Sequence, residues 1–185
     1  MKNFISKVTL RETIRFAIVF LIILAAAKFG QYLFFDWKTS PAILWPPTGI
    51  ALAIIWLGGY RYAIPIFLGL LTASFTGPTA VYFPGVVTTP IGQVLGKIAG
   101  VYLLRKLKFT GNFSTLKNVL LFLFVISLSS TIAPSVTTLI SAMTGRLSVS
   151  AYISWSRSWA GYAFSCLMIF PLIISWAKSD SYIGT

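Results

Sequence analysis

The fold is decided by the stretch Leu44-Trp45-Pro46-Pro47-Thr48-Gly49, which sets two prolines, a glycine and a tryptophan at the head of an apolar segment. Proline lacks an amide donor and has a fixed φ, so the first turn of a helix tolerates it best. An indole suits the edge of a membrane, where the ring is buried and the N–H stays wet. The stretch therefore predicts a rigid, tryptophan-anchored start to a membrane helix running from about Ala42 to Leu57.

The composition indicates a membrane protein. Of the 185 residues, 57% are hydrophobic and 10% are charged, and the mean hydropathy is +0.85. A soluble domain of this length cannot bury so much apolar surface. Since a spanning helix takes about 20 apolar residues, the chain has room for about six of them with short loops. We predict an all-α, polytopic integral membrane bundle, with some helices broken by proline and glycine.

The net charge of +12 indicates contact with a membrane surface rather than with nucleic acid. The basic residues cluster in the loops between apolar segments, as in proteins that contact anionic headgroups. With six spans, ten of the 15 basic residues fall on the side of the N-terminus and three on the other, while Lys28 and Lys97 lie within spans. This asymmetry predicts that both termini are cytoplasmic.

Several kinds of chemistry are excluded by the residues that the chain lacks. It has no histidine, which rules out histidine-based metal sites and Ser–His catalysis. Its three acids, Glu12, Asp36 and Asp180, lie near the predicted span ends, so paired carboxylates are not expected. A single cysteine, Cys166, cannot form an intramolecular disulfide and is expected to be a packing residue. We predict neither an enzyme nor a metal or cofactor site.

The chain divides into a basic N-terminus (1–15), a membrane domain (16–177) and a short tail (178–185). Proline is expected to break the fourth span at Pro84 and Pro90 and to kink the fifth at Pro134. The predicted spans are Phe16–Phe35, Ala42–Leu57, Tyr62–Phe75, an irregular segment from Tyr82 that tightens over Gly92–Leu104, Leu116–Met143 and Tyr152–Trp176.

Small residues in the fourth span predict close helix packing. Gly92, Gly96 and Gly100 recur every four residues, which allows another helix to approach closely. Gln93 and Lys97 share this spacing and lie on a neighbouring stripe of the same helix.

Three basic residues within or beside the spans, Lys28, Lys97 and Arg157, admit two interpretations. A charge in lipid is unfavourable unless it extends to the interface, pairs or faces water. The structural interpretation is that these side chains reach nearby interfaces. The functional one is that they line a cavity, with Gln93, and bind an anionic or carbonyl-bearing ligand.

The motif residues resemble a known family. The similarity covers about residues 42–174 and rests on Trp45-Pro46-Pro47-Thr48-Gly49, Ala51-Leu52, Gly58-Gly59, Pro65, Gly69, Tyr102-Leu103-Leu104-Arg105, Trp159-x-Gly161 and Pro171-Leu172. In these residues the chain resembles the first type of membrane-associated sensor (MASE) domain of bacterial signalling proteins.

The resemblance implies a sensory input module in the bacterial cytoplasmic membrane that acts on a cytoplasmic output domain, with a homodimer or a signalling protein as partner. Two departures stand out. Tyr162 takes a position where the family often has aspartate, and the family usually continues for about two more spans beyond the equivalent of Thr185.

An alternative from another class is the substrate-binding subunit of a vitamin-type transporter. In that case the broken fourth span, with Thr89, Gln93 and Lys97, would form the pocket, as in transporters with discontinuous helices. The sequence contains no visible inverted repeat that would support this alternative.

Overall fold

The computed structural model describes residues 2–34, 44–77, 83–145, 147 and 149–183. Every regular element in these ranges is helical, which confirms the all-α class. The helices are α1 (Lys2–Phe34), α2 (Pro46–Gly58), α3 (Ala63–Phe75), α4 (Phe83–Lys106), α5 (Leu116–Ser129), α6 (Ile132–Met143) and α7 (Ala151–Ile183), with a 3₁₀ turn over Tyr60–Tyr62.

Among the described residues, four helical segments are long and apolar enough to cross a membrane: Thr9–Leu33, Pro84–Lys106, Leu116–Met143 and Ala151–Ala177. By contrast, α2 and α3 have 13 residues each, or about 20 Å at 1.5 Å per residue. This is shorter than the roughly 30 Å of a hydrocarbon core. The structure therefore supports a membrane-spanning helical protein, and the count of six spans stays a prediction.

The predicted start of α2 is confirmed. Pro46 and Pro47 occupy its first turn, and Trp45 immediately precedes it in a non-helical conformation. The helix ends at Gly58 and is capped by Gly59, whose φ of 91° suits glycine because it has no Cβ. The predicted first residues of this span, Ala42 and Ile43, lie outside the described residues, as do Asp36, Trp37 and Lys38.

Successive segments of the bundle alternate in direction. Gly30 of α1 lies against Pro46 at the start of α2, while Glu12 of α1 pairs with Arg61 just beyond its end. The starts of α2 and α4 face the same way, because Trp45 contacts Gln93 and the carbonyl of Trp56 contacts Arg105. Equivalent contacts show that α7 runs parallel to α2 and α4. They also show that α1, α3 and the α5–α6 pair run in the opposite direction.

One end of the bundle is rich in basic side chains, and we call it the basic end. It carries the described residues Arg11, Arg15, Arg61, Arg105, Lys106, Lys108 and Lys117. An aromatic cluster closes the bundle here, with Phe122 and Phe170 stacked at 5.0 Å and Trp56 edge-on to Phe109 at 5.6 Å. The loop after α4 is thus fixed against the core through Phe109, which is 5% exposed.

The prediction that the fourth span is broken is wrong. α4 is one continuous helix, with Pro84 in its first turn and Pro90 inside it. A proline in the first turn costs no hydrogen bond, because the amides of that turn have no partner within the helix. A proline inside a membrane helix removes one backbone hydrogen bond, but neighbouring groups can satisfy the freed carbonyl, so the helix can continue.

The predicted fifth span is interrupted at Ser130 and Thr131, in the turn before Pro134, which is where this proline is expected to kink the helix. The amide of Thr131 donates to the carbonyl of Leu128, three residues back, at 3.2 Å. The carbonyl of Ser127 instead accepts the indole N–H of Trp159 on α7, at 2.9 Å. Pro134 stands in the first turn of α6, so its missing amide belongs to the start of a new helix.

The glycine repeat of α4 packs as predicted. A Cβ on Gly92 would lie 3.1 Å from the Cα of Ala133, and one on Gly96 would lie 3.0 Å from the carbonyl oxygen of Ser129. Gly100 faces the Ser129 hydroxyl in the same way. The repeat therefore brings α4 into backbone contact with the kinked end of α5 and the start of α6.

Candidate functional site

The centre of the bundle holds a polar cluster formed by two matched pairs of side chains. On α4, Gln93 and Lys97 are four residues apart, and on α7 so are Tyr162 and Cys166. Because residues four apart share a helix face and α4 and α7 run parallel, the pairs meet in register. Gln93 Nε2 lies 3.5 Å from the Tyr162 hydroxyl, and Lys97 Nζ lies 3.4 Å from Cys166 Sγ.

The most unusual member of the cluster is Lys97, whose side chain is buried with only 3% of its surface exposed. It does not extend to the interface, as the structural interpretation of this residue required. The ammonium has three donors, and Cys166 Sγ is its hydrogen-bond partner among the described residues. A thiol is a weak acceptor, so most of the hydrogen-bonding capacity of this cation is unused.

The cluster also lacks a compensating carboxylate within the described part of the chain. The acid whose side chain is described, Glu12, pairs with Arg15 and Arg61 at 2.9 Å each, towards the basic end. Burying a charge is strongly unfavourable unless it is paired and hydrogen-bonded. The Lys97 ammonium thus has unused donors, for which an anionic or carbonyl-bearing partner would supply acceptors.

Trp45 connects the Trp-Pro-Pro block to this cluster. Its indole Nε1 donates to Gln93 Oε1 at 3.0 Å, and its backbone amide donates to the Ser165 hydroxyl at 2.7 Å. Ser165 donates in turn to the carbonyl of Gly161 at 2.7 Å. The block is therefore joined to α4 and α7 by side-chain hydrogen bonds, beyond its role as a rigid helix start.

Thr48 and Gly49 occupy the same level of the bundle as Lys97. On one side of them Trp45 contacts Gln93, and on the other side, about two turns further along both helices, Leu52 lies beside Gly100. The Thr48 hydroxyl oxygen is buried and has no hydrogen-bond partner among the described residues. Gly49 lies directly against the backbone carbonyl of Ser165, where a Cβ would not fit.

The structure brings together two of the four predicted ligand residues. Gln93 and Lys97 share the cluster, whereas Lys28 lies near the far end of α1 and donates to the carbonyl of Thr76 at 2.7 Å. That carbonyl follows the last turn of α3, where a cation is favourable. Arg157 is exposed near the start of α7.

The remaining motif residues have structural positions. Pro65 is buried in the first turn of α3, Gly161 is buried on α7 beneath Ser165, and α7 continues as a helix through Pro171. Trp159 stacks on Trp155, with the ring centroids 6.1 Å apart.

Sequence reasoning missed the part of the cluster that α7 supplies. Tyr162 was noted only as a departure from a family pattern and Cys166 only as a packing residue. The available signal was their spacing of four, which matches that of Gln93 and Lys97. The register between α4 and α7 could not be read from spacing alone.

Comparison with known proteins adds no identification: no protein-family model, curated protein or solved structure matches this chain. The cluster must therefore be interpreted from its own chemistry.

Proposed function

We propose that this chain is a sensory input module of a bacterial signalling system, embedded in the cytoplasmic membrane with both termini on the cytoplasmic side. Its stimulus is an anionic or carbonyl-bearing small molecule that binds at the Lys97 cluster. The observation that carries the proposal is a buried cation whose protein partner is a thiol instead of a carboxylate. Such an arrangement is unfavourable by itself and becomes favourable when a ligand supplies the missing acceptor.

A closed cluster of this kind couples binding to movement. Gln93, Lys97 and Cys166 are 5%, 3% and 0% exposed, so a ligand reaches Lys97 only if α7 separates from α2 and α4. α7 runs without interruption from Ala151 to Ile183, so a displacement at Cys166 is transmitted to its C-terminal end. That end is where a cytoplasmic output domain or signalling partner would receive it.

The proposed orientation rests on the basic end. Seven described Lys and Arg residues lie there, and by the positive-inside rule this end faces the cytoplasm. The opposite end then carries Trp155 and Trp159 at the outer interface, where amphipathic rings are favoured.

The alternative of a transporter subunit rested on a pocket formed by a broken fourth span. Because α4 is one continuous helix, this support for the alternative is absent. A polar cluster by itself fits either class. The neighbouring reading frames discriminate between them: a kinase or cyclic-di-GMP enzyme, fused or adjacent, supports the sensor, whereas an adjacent ATPase with a coupling membrane subunit contradicts it.

The direct test of the site is a comparison of bound small molecules. The wild-type chain, Lys97→Met and the control Lys28→Met are purified in a mild detergent, and solvent extracts are compared by negative-ion mass spectrometry. We expect an acidic or carbonyl compound to be enriched with the wild type and Lys28→Met and absent with Lys97→Met. Identical extracts from all three proteins would refute binding at Lys97.

A further inference from the structure

A second site lies on the outward face of α4, away from the Lys97 cluster. There the helix, the 3₁₀ turn and α6 enclose an open apolar groove of about 650 Å³. We call it the α4 groove, and it is lined by Tyr60, Leu95, Ile98, Ala99, Tyr102 and Ile132.

The groove runs along the helix towards the basic end. Its α4 residues follow the i, i+3, i+4, i+7 spacing of a single helix face. Leu95 and Tyr102 are 50% and 54% exposed, so this face points out of the bundle. Within a membrane, such a face lies against acyl chains.

Two cations stand at the end of the groove. The guanidinium carbon of Arg105 is 5.1 Å from the ring centroid of Tyr60, and Lys106 Nζ is 5.8 Å from that of Tyr102. Neither pairs with a carboxylate among the side chains that the structure describes. An apolar groove that ends in unneutralised basic residues is complementary to a lipid with an acidic headgroup.

We propose that the α4 groove binds one anionic glycerophospholipid, with an acyl chain along Leu95–Tyr102 and its phosphate at Arg105 and Lys106. A second copy of the chain fits this face less well. Two copies in one membrane that met across a two-fold axis at the groove would bring their Arg105 and Lys106 side chains together, and like charges repel.

The test uses the full chain in mild detergent, titrated with phosphatidylglycerol or with phosphatidylcholine of identical acyl chains. Binding is followed by native mass spectrometry. We expect phosphatidylglycerol to bind more tightly, and Lys106→Gln to weaken its binding about fivefold, the usual contribution of one basic residue at a membrane surface. The matched control is Lys117→Gln, an exposed basic residue of α5 that does not line the groove, and it leaves binding unchanged.

The groove itself is tested by filling it. Ala99→Leu and Ala99→Trp should weaken the binding of both lipids by similar factors. Leu172→Trp, at an exposed position of α7 away from the groove, should not change the binding of either lipid. Size-exclusion profiles establish that the variants fold.

Three results would overturn the proposal. The first is equal affinity for the two headgroups, and the second is unchanged binding in both Ala99 variants. The third is a dimer that Ala99→Trp dissociates without any change in lipid binding, which would assign the groove to a second copy. None of these results bears on ligand binding at Lys97.

Discussion

Trp159 donates its indole N–H to the backbone carbonyl of Ser127 at 2.9 Å, on the turn before α5 ends. That carbonyl does not receive the amide of Thr131, which bonds to Leu128 instead. Four residues earlier on α7, Trp155 donates to the hydroxyl of Ser135 on α6, at 3.0 Å. Two stacked indoles thus hold the two sides of the kink, and the released carbonyl is not left unsatisfied in an apolar environment.

Replacing Trp159 by phenylalanine keeps an aromatic ring but removes this donor. We expect the free energy of unfolding to fall by about 0.5–1.5 kcal/mol, because a partly buried carbonyl loses its partner. Chemical denaturation in detergent micelles measures the change. Trp176→Phe is the control, since Trp176 is 79% exposed, and it should have little effect. Equal effects of the two substitutions would show that the hydrogen bond to Ser127 is unimportant.

Gly49→Ala should disturb the contact between α2 and α7. The added Cβ would clash with the backbone carbonyl of Ser165 and would lie 2.7 Å from the Cβ of Ile169, neither of which can move independently of its helix. We expect a loss of about 1–3 kcal/mol in the free energy of unfolding.

The comparison for Gly49 is Gly58→Ala, at the other end of α2. There the added Cβ meets the ring of Tyr62, which is 7% exposed but can rotate about its side-chain bonds, as a backbone carbonyl cannot. A smaller loss at Gly58 is therefore expected from thermal unfolding of both variants. A loss at Gly58 as large as that at Gly49 would argue against close backbone packing as the cause.

In the ligand-free protein, Lys97→Met and Cys166→Ala should change stability in opposite directions. Methionine replaces a poorly compensated buried cation with an apolar side chain of similar length, so the free energy of unfolding should rise by about 1–4 kcal/mol. Cys166→Ala removes the hydrogen-bond partner of Lys97 and should lower it by about 1–3 kcal/mol.

The double variant identifies the cause. With Lys97 already methionine, Cys166→Ala should cost less than it does in the wild-type chain, as a double-mutant cycle would measure. Strictly additive effects would mean that the two side chains do not interact. A less stable Lys97→Met protein would mean that the ammonium has better acceptors than Cys166 Sγ.

The ion pairs of Glu12 should matter little. They join α1 to the 3₁₀ turn through Arg61, but the three side chains are 31–58% exposed. Exposed pairs contribute about 0–1 kcal/mol, so Glu12→Gln should lower the free energy of unfolding by less than about 1 kcal/mol. This difference should shrink further in 1 M salt, because salt screens exposed charges. A large, salt-independent loss would contradict this prediction.

Local rules predicted the helix start at Pro46 and Pro47 and the packing of Gly92 and Gly96, because proline and glycine act through backbone geometry. Helix length and continuity depend on neighbours, so the unbroken passage through Pro90 could not be predicted in the same way.

The site was predictable only in part. The sequence places Gln93 and Lys97 on one face, but the burial of Lys97 depends on the register of α7, which positions Cys166 opposite it. The separation of Lys28 from Lys97 likewise follows from the docking of α1 beside α3.

The two longest helices, α1 and α7, have 33 residues each and run in opposite directions. The uncharged stretch of α1 begins after Arg15 and that of α7 ends before Lys178, so each helix continues at the basic end, over 2–15 and 178–183. At 1.5 Å per residue these segments are roughly 21 and 9 Å long. Helices α1 and α7 thus extend from the same end of the bundle, where a relative rotation or separation of the two helices changes the distance between their projecting segments.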